Sequence, residues 1–168
     1  MATLLQLKAD VEDKKGTRMK MVFSGASEAH LLAAEIAKAK VGVILRPVRP
    51  FPGAWDNRRI MAGPPVTNDT AVTVLLDHGV TVALGVTEAW EPVNARFDAG
   101  WVALEAAGRI SRRQQYDLAT GNLEKLMGLE GWIGGDGDLV VYQGGGAFNM
   151  SSKVVAVASP RHGSVEFF

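Results

Sequence analysis

Short apolar runs alternate with longer amphipathic stretches along the first three quarters of the chain. Positions 19–23, 41–45 and 80–84 (MKMVF, VGVIL, VTVAL) carry almost no charge. Runs of that length are expected of strands buried on both faces of a parallel sheet. Between them the apolar residues recur close to every 3.6 positions. This spacing predicts helices over 2–14 (Leu4, Leu5, Leu7, Val11) and 28–38 (Leu31, Leu32, Ile36). It predicts further helices over 68–78, over 96–107 with Phe97, Trp101, Val102 and Leu104 inward, and over 111–127. Thr67 and Ser111 are placed as N-caps, and Gly16, Gly79, Gly108 and Gly128 as stops. From Gly131 onward the helical period disappears. Three β-like runs follow, at 138–143, 153–158 and 164–168, with a Gly144-Gly145-Gly146 turn. The expected organisation is an α/β region over 1–130 with parallel strands, then a small β segment over 131–168.

Each of the three strands leads into a polar or aromatic loop, and parallel α/β folds carry their chemistry at the carboxyl ends of the strands. The first loop holds Glu28 and His30; the third holds Glu88. Glu28 is placed to orient His30 or Arg46, or to sit as an acid at a helix start. Arg46 and Arg49 can form a fork for a carboxylate or phosphate, or merely pin a loop held by Pro47 and Pro50. The stretch 46–66 is long and proline-rich, with Trp55, Asp56, Arg58 and Arg59 expected in a binding lid. Asn94, Arg96 and Asp98 read as helix caps, Trp90 and Trp101 as packing residues, and His78 as a partner of its helix's C-terminal dipole. The three glycines at 144–146 lack the Lys-Ser/Thr helix start of a phosphate loop.

The 168 residues suffice for one sizeable core. Eighteen basic and eighteen acidic residues cancel, so net charge gives no reason to expect nucleic acid or an anionic membrane as partner. Without cysteine there is no disulfide, thiol nucleophile or thiolate zinc site. No apolar run approaches a bilayer span, and no signal-peptide pattern precedes the first helix.

The order of the strand–Gly-Ala-x-Glu-Ala-His turn, the Val-Gly-Val-Ile-Leu-x-Pro turn and the Val-x-Leu-Gly-Val-x-Glu turn resembles the last three strands of the metal-dependent amidohydrolase superfamily. The nearest branch is the imidazolonepropionase-like one found in fungi. The tail is similar too. Leu118-Ala119-Thr120-Gly121-Asn122 to Leu129, then Gly131-Trp132-Ile133 to Asp138-Leu139-Val140-Val141, follows the pattern by which that family leaves its barrel for a β-sandwich.

The resemblance implies the C-terminal part of a (β/α)8 TIM-like barrel, about three units, plus a β-sandwich segment. The family's His-x-His pair and its middle ligands have no counterpart, which implies a truncated gene model or a fragment whose Met1 is internal. It further implies hydrolysis of non-peptide carbon–nitrogen bonds by water activated on a divalent metal, zinc foremost. His30 and Glu88 would be the metal-facing and catalytic groups, with Glu28, Arg46, Arg49 and Arg59 on a small-molecule substrate. Glu88 stands where the family usually carries an aspartate, one carbon shorter. A non-catalytic or metal-free binding relative is the alternative. A half-barrel's open sheet edges lead us to expect self-association.

Overall fold

The computed structural model describes residues 1–49, 59–129 and 137–168, and the chain divides into two units, Met1–Leu126 and Met127–Phe168. The first unit opens with α1 (Ala2–Lys15), β1 (Val22–Gly25), a 3-10 turn (Ala29–Leu32), α2 (Ala33–Lys38) and β2 (Gly42–Leu45). It continues with α3 (Ala71–Asp77), β3 (Val82–Leu84), a second 3-10 turn (Glu91–Asn94), α4 (Ala95–Glu105), α5 (Arg112–Ala119) and α6 (Gly121–Met127).

The three strands form a parallel sheet in the order β1-β2-β3, with Val22 opposite Gly42 and Val43 opposite Val82. β2 and β3 are almost wholly buried, as their continuous apolar runs predict. Val43, Leu45 and Val82 form the centre of the core with Ile36, Leu75 and Leu118 from the helices. Burying these side chains supplies the main drive to fold, about 1.5–3 kcal/mol for each large one.

Several elements depart from the sequence reading. β1 begins three residues later than the apolar run: the Met19 N–H is turned to the Glu12 carboxylate of α1 at 2.7 Å, and the first bond from β2 is the Gly42 N–H to the Met21 carbonyl. The buried residue of α1 is Lys8, paired with Glu12, whereas Leu4 and Leu7 are exposed. α3 starts at Ala71, not at 68: its cap is Thr70, in a reciprocal pair with Thr73. Thr67 instead accepts from the Gly63 N–H and donates to the Asp69 carbonyl. On α4 the inward residues are Ala99, Val102 and, just past the helix end, Ala106, while Trp101 and Leu104 face solvent. The helix expected over 111–127 is two helices, α5 and α6, broken at Thr120 with φ −134° and ψ −90°.

α6 lies against the sheet. The Asn122 side chain donates to the Val82 carbonyl at 2.8 Å, and Leu126 fills the space that the missing side chain of Gly42 leaves.

The second unit is an antiparallel meander of β4 (Leu139–Gln143), β5 (Lys153–Ser159) and β6 (Ser164–Phe167). β4 pairs with β5 through a bulge at Val141/Tyr142, and Gly144 takes φ +83° in the turn, a conformation glycine adopts without strain. By register, Leu139 and Val141, Ala156 and Ala158, and Val165 and Phe167 share one face. It is a single sheet among the described residues, with no second layer of a sandwich.

No helix among the described residues is long and apolar enough to cross a membrane.

Candidate functional site

Because β1, β2 and β3 are parallel neighbours, the loops that follow them leave from one end of the sheet. His30 and Glu28, Arg46 and Arg49, and Glu88 all stand on these loops.

The first loop turns sharply, with Gly25 and Ala26 both at positive φ. The Ala29 N–H then donates to the Ala26 carbonyl and the Leu31 N–H to the Glu28 carbonyl, which forms the 3-10 turn that carries His30. His30 is half-buried, and its Nδ1 is enclosed with no hydrogen-bond partner among the described residues. Burial pushes its pKa down, and the Ser27 backbone and Glu28 carboxylate oppose that only in part. A neutral imidazole with a lone pair or N–H left over can bind a metal or a substrate oxygen. Glu28 orients neither His30 nor Arg46 by a hydrogen bond. It accepts the Arg59 backbone N–H at 2.6 Å, tying the first loop to the chain that returns from the second.

The two arginines after β2 are engaged separately. Arg46 Nε donates to Ser24 Oγ at 2.8 Å, across to the neighbouring strand. Arg49 Nη2 meets Asp98 Oδ1 at 3.1 Å and lies 4.0 Å from the Trp101 ring centroid. The paired fork expected of them is absent in this arrangement, and each pins a loop. Trp55, Asp56 and Arg58 of the expected lid lie outside the described residues, as do Gly131 to Asp136.

In the third loop Gly85 is required by close approach. A side chain there would come within 2.7 Å of Ile44 and 3.3 Å of Arg46 Cβ. Glu91, which sequence reasoning passed over, accepts the Thr87 N–H at 2.6 Å and the Glu88 N–H at 3.3 Å and so holds the loop in shape. The Glu88 side chain is exposed. Trp90 is 67% and Trp101 53% exposed, so neither is the packing residue expected. Asn94 opens α4 without a side-chain cap bond, and Asp98 serves Arg49 instead of a cap. Between the second and third loops lies a pocket of about 250 Å³ lined by Val48, Arg49, Gly85, Trp90, Asn94 and Asp98. His78 matches its reading: its Nδ1 lies 2.8 Å from the Val74 carbonyl near the C-terminus of α3.

The described residues contain no group of three or more His, Asp or Glu side chains able to hold one metal ion. A catalytic zinc takes three protein ligands and an open position. His30 and Glu88 supply two at most, so these residues do not fit a complete metal site.

No family model matches the chain. It is 35% identical over 147 residues to the amidohydrolase tasK of Hapsidospora irregularis, a match that covers 77% of this chain and 15% of that protein. Its fold matches the crystal structure of an amidohydrolase from Thermotoga maritima MSB8 with a TM-score of 0.66 at 24% identity, over 89% of this chain and 37% of that one. The chain thus spans a minor part of each protein it matches. The sequence homology and the shared fold together support the amidohydrolase superfamily, and the parallel three-stranded sheet is compatible with part of its barrel.

Proposed function

We propose that this chain is part of an amidohydrolase of the imidazolonepropionase-like branch, which hydrolyses carbon–nitrogen bonds other than peptide bonds in a small molecule. The observation that carries the reading is the placement of His30, whose Nδ1 has no well-formed hydrogen bond among the described residues, on the same end of a parallel sheet as Glu88. In it His30 donates to or coordinates at the substrate carbonyl side, and Glu88 takes the proton of the attacking water. Arg46 and Arg49, through the guanidinium nitrogens left over from their bonds to Ser24 and Asp98, and Arg59 hold the remainder of the substrate, with Glu28 positioning the Arg59 backbone. A divalent metal, zinc first, would supply a more acidic water. Its further ligands are not among the residues described. In the same reading the free edges of β1 and β3 take further barrel strands or a second copy. The apolar face of the β4-β5-β6 meander takes the second layer of a sandwich.

A second reading, a binding protein without catalysis, is favoured by the exposed side chain of Glu88 and by its extra carbon relative to the family's aspartate. A hydrolysis assay on a panel of cyclic amides and imides with added zinc or manganese separates the two. It compares the full-length protein carrying these residues with its Glu88→Gln variant, alongside the present chain. Turnover by the full-length protein that drops about 10²–10⁴-fold in the variant supports the hydrolase, with the present chain at background. Turnover indifferent to Glu88→Gln removes Glu88 from the chemistry, and no turnover at all with retained ligand binding establishes the second reading.

A further inference from the structure

At the opposite end of the sheet, away from the loops just described, the chain entering β1 and the turn entering β2 frame an open hollow of about 390 Å³, on whose rim Arg18, Lys20, Lys38 and Lys40 are exposed. Its charged lining is Lys8, Glu12, Arg18, Lys20, Lys38 and Lys40, five cations against one carboxylate. In a chain whose eighteen basic and eighteen acidic residues cancel, this is a strong local excess. Lys8 and Glu12 pair with each other, and Lys20 Nζ donates to the Lys125 carbonyl while keeping its charge. Lys38 and Lys40 have no hydrogen bond or ion pair from their side chains among the described residues.

The helix macrodipole accounts for Lys38, on the last turn of α2. It does not account for Arg18 and Lys20, which stand on extended chain between α1 and β1. Lys40 adds an independent sign. It follows α2 at φ +53°, a left-handed conformation that disfavours any side chain. Elsewhere in this unit the left-handed residue closing a helix is or includes a glycine: Gly16 after α1, Gly79 after α3, Gly108 after α4. At position 40 the chain forgoes that relief and places an ammonium at the pocket.

We infer that this pocket binds the multiply charged phosphate group of a small molecule. Four cations remain once Lys8 and Glu12 have cancelled, and three of those four are lysines. Ammonium groups act as point charges that phosphate oxygens can meet from several directions, the Arg18 guanidinium also matches phosphate, and a single carboxylate would offset only one of the four charges. The inference is independent of the proposed hydrolase, because it uses no residue of the strand-end loops.

The test is calorimetric titration of the whole chain with sodium pyrophosphate, with orthophosphate, and with sodium chloride at matched ionic strength. Pyrophosphate is expected to bind saturably at one site, at least tenfold more tightly than orthophosphate. The double variant Lys38→Ala/Lys40→Gly is expected to bind pyrophosphate at least tenfold more weakly than the natural chain. Lys40→Gly alone should leave the melting temperature unchanged or raised, since glycine is relaxed at that φ, so lost binding in that variant is not lost folding. Pyrophosphate heats no greater than those of matched chloride, or affinity undiminished in the double variant, overturn the inference.

Discussion

The guanidinium of Arg49 lies 4.0 Å from the centroid of the Trp101 ring. Asp98, three positions earlier on α4, completes the arrangement through a 3.1 Å bond to the same guanidinium. The loop after β2 is thereby fastened to the helix after β3 by side chains that are all partly in solvent. That position limits how much each contact contributes.

A double-mutant cycle on Arg49→Ala and Trp101→Ala should return a coupling of about 0.5–1 kcal/mol in favour of the pair. Urea denaturation of the four proteins measures it. A coupling indistinguishable from zero would mean that the stacked geometry contributes nothing in solution.

His30 gives a pH signature. Its folded-state pKa is lowered, chiefly by burial, so the unfolded chain binds the extra proton first as pH falls. The stability tied to a neutral His30 is therefore complete above its ordinary value of about 6.5 and is lost as pH drops through that value toward the folded one. The stability gap between the natural chain and His30→Gln should shift toward the variant between pH 7.5 and pH 5.5. An unchanged gap would show that the imidazole is not desolvated.

Two threonines three residues apart distinguish the true start of α3. Thr70 is buried and capped reciprocally with Thr73, whereas Thr67 is exposed. Thr70→Ala should cost about 1–2 kcal/mol, and Thr67→Ala clearly less. Equal losses in thermal unfolding would contradict the observed capping.

Gly42 is a packing glycine. A Cβ there would overlap the Leu126 side chain, with Cγ at 3.2 Å and Cδ1 at 3.3 Å, and Leu126 is itself buried. Gly42→Ala should destabilise by about 1–3 kcal/mol, and by much less in a Leu126→Ala background, where the new methyl fills the space released. Additive losses in the double variant would show that the two residues are not in contact.

The strands were legible because β2 and β3 are buried on both faces and therefore leave unbroken apolar runs. Helix faces were less so. On α4 Val102 packs inward as expected and Phe97 is half-buried, but Trp101 and Leu104 point outward while small Ala99 and Ala106 pack inward, so weighting by hydrophobicity misplaced two of the four. Lys8 inverts the same rule on α1, because a carboxylate four residues on compensates its burial. The break at Thr120 did have a signal, the glycine that follows it. Strand ends located the candidate site, since a loop's position follows from the strand before it. Its wiring was not legible: Ser24 with Arg46, Glu28 with Arg59, and Asp98 with Arg49 join segments far apart in sequence. No local pattern encodes such pairs.

The sheet order also fixes how it can be built. Pairing Val22 with Gly42 closes a loop about half as long as pairing Val43 with Val82, and each doubling of a loop costs about 0.6 kcal/mol of closure entropy. The earlier pair is thus both the cheaper and the first to leave the ribosome. β1 and β2 can dock while the residues of β3 are still being synthesised, and β3 then adds to the edge that β2 presents. Growth runs in one direction along the sheet, and no strand has to be inserted between two that have already paired.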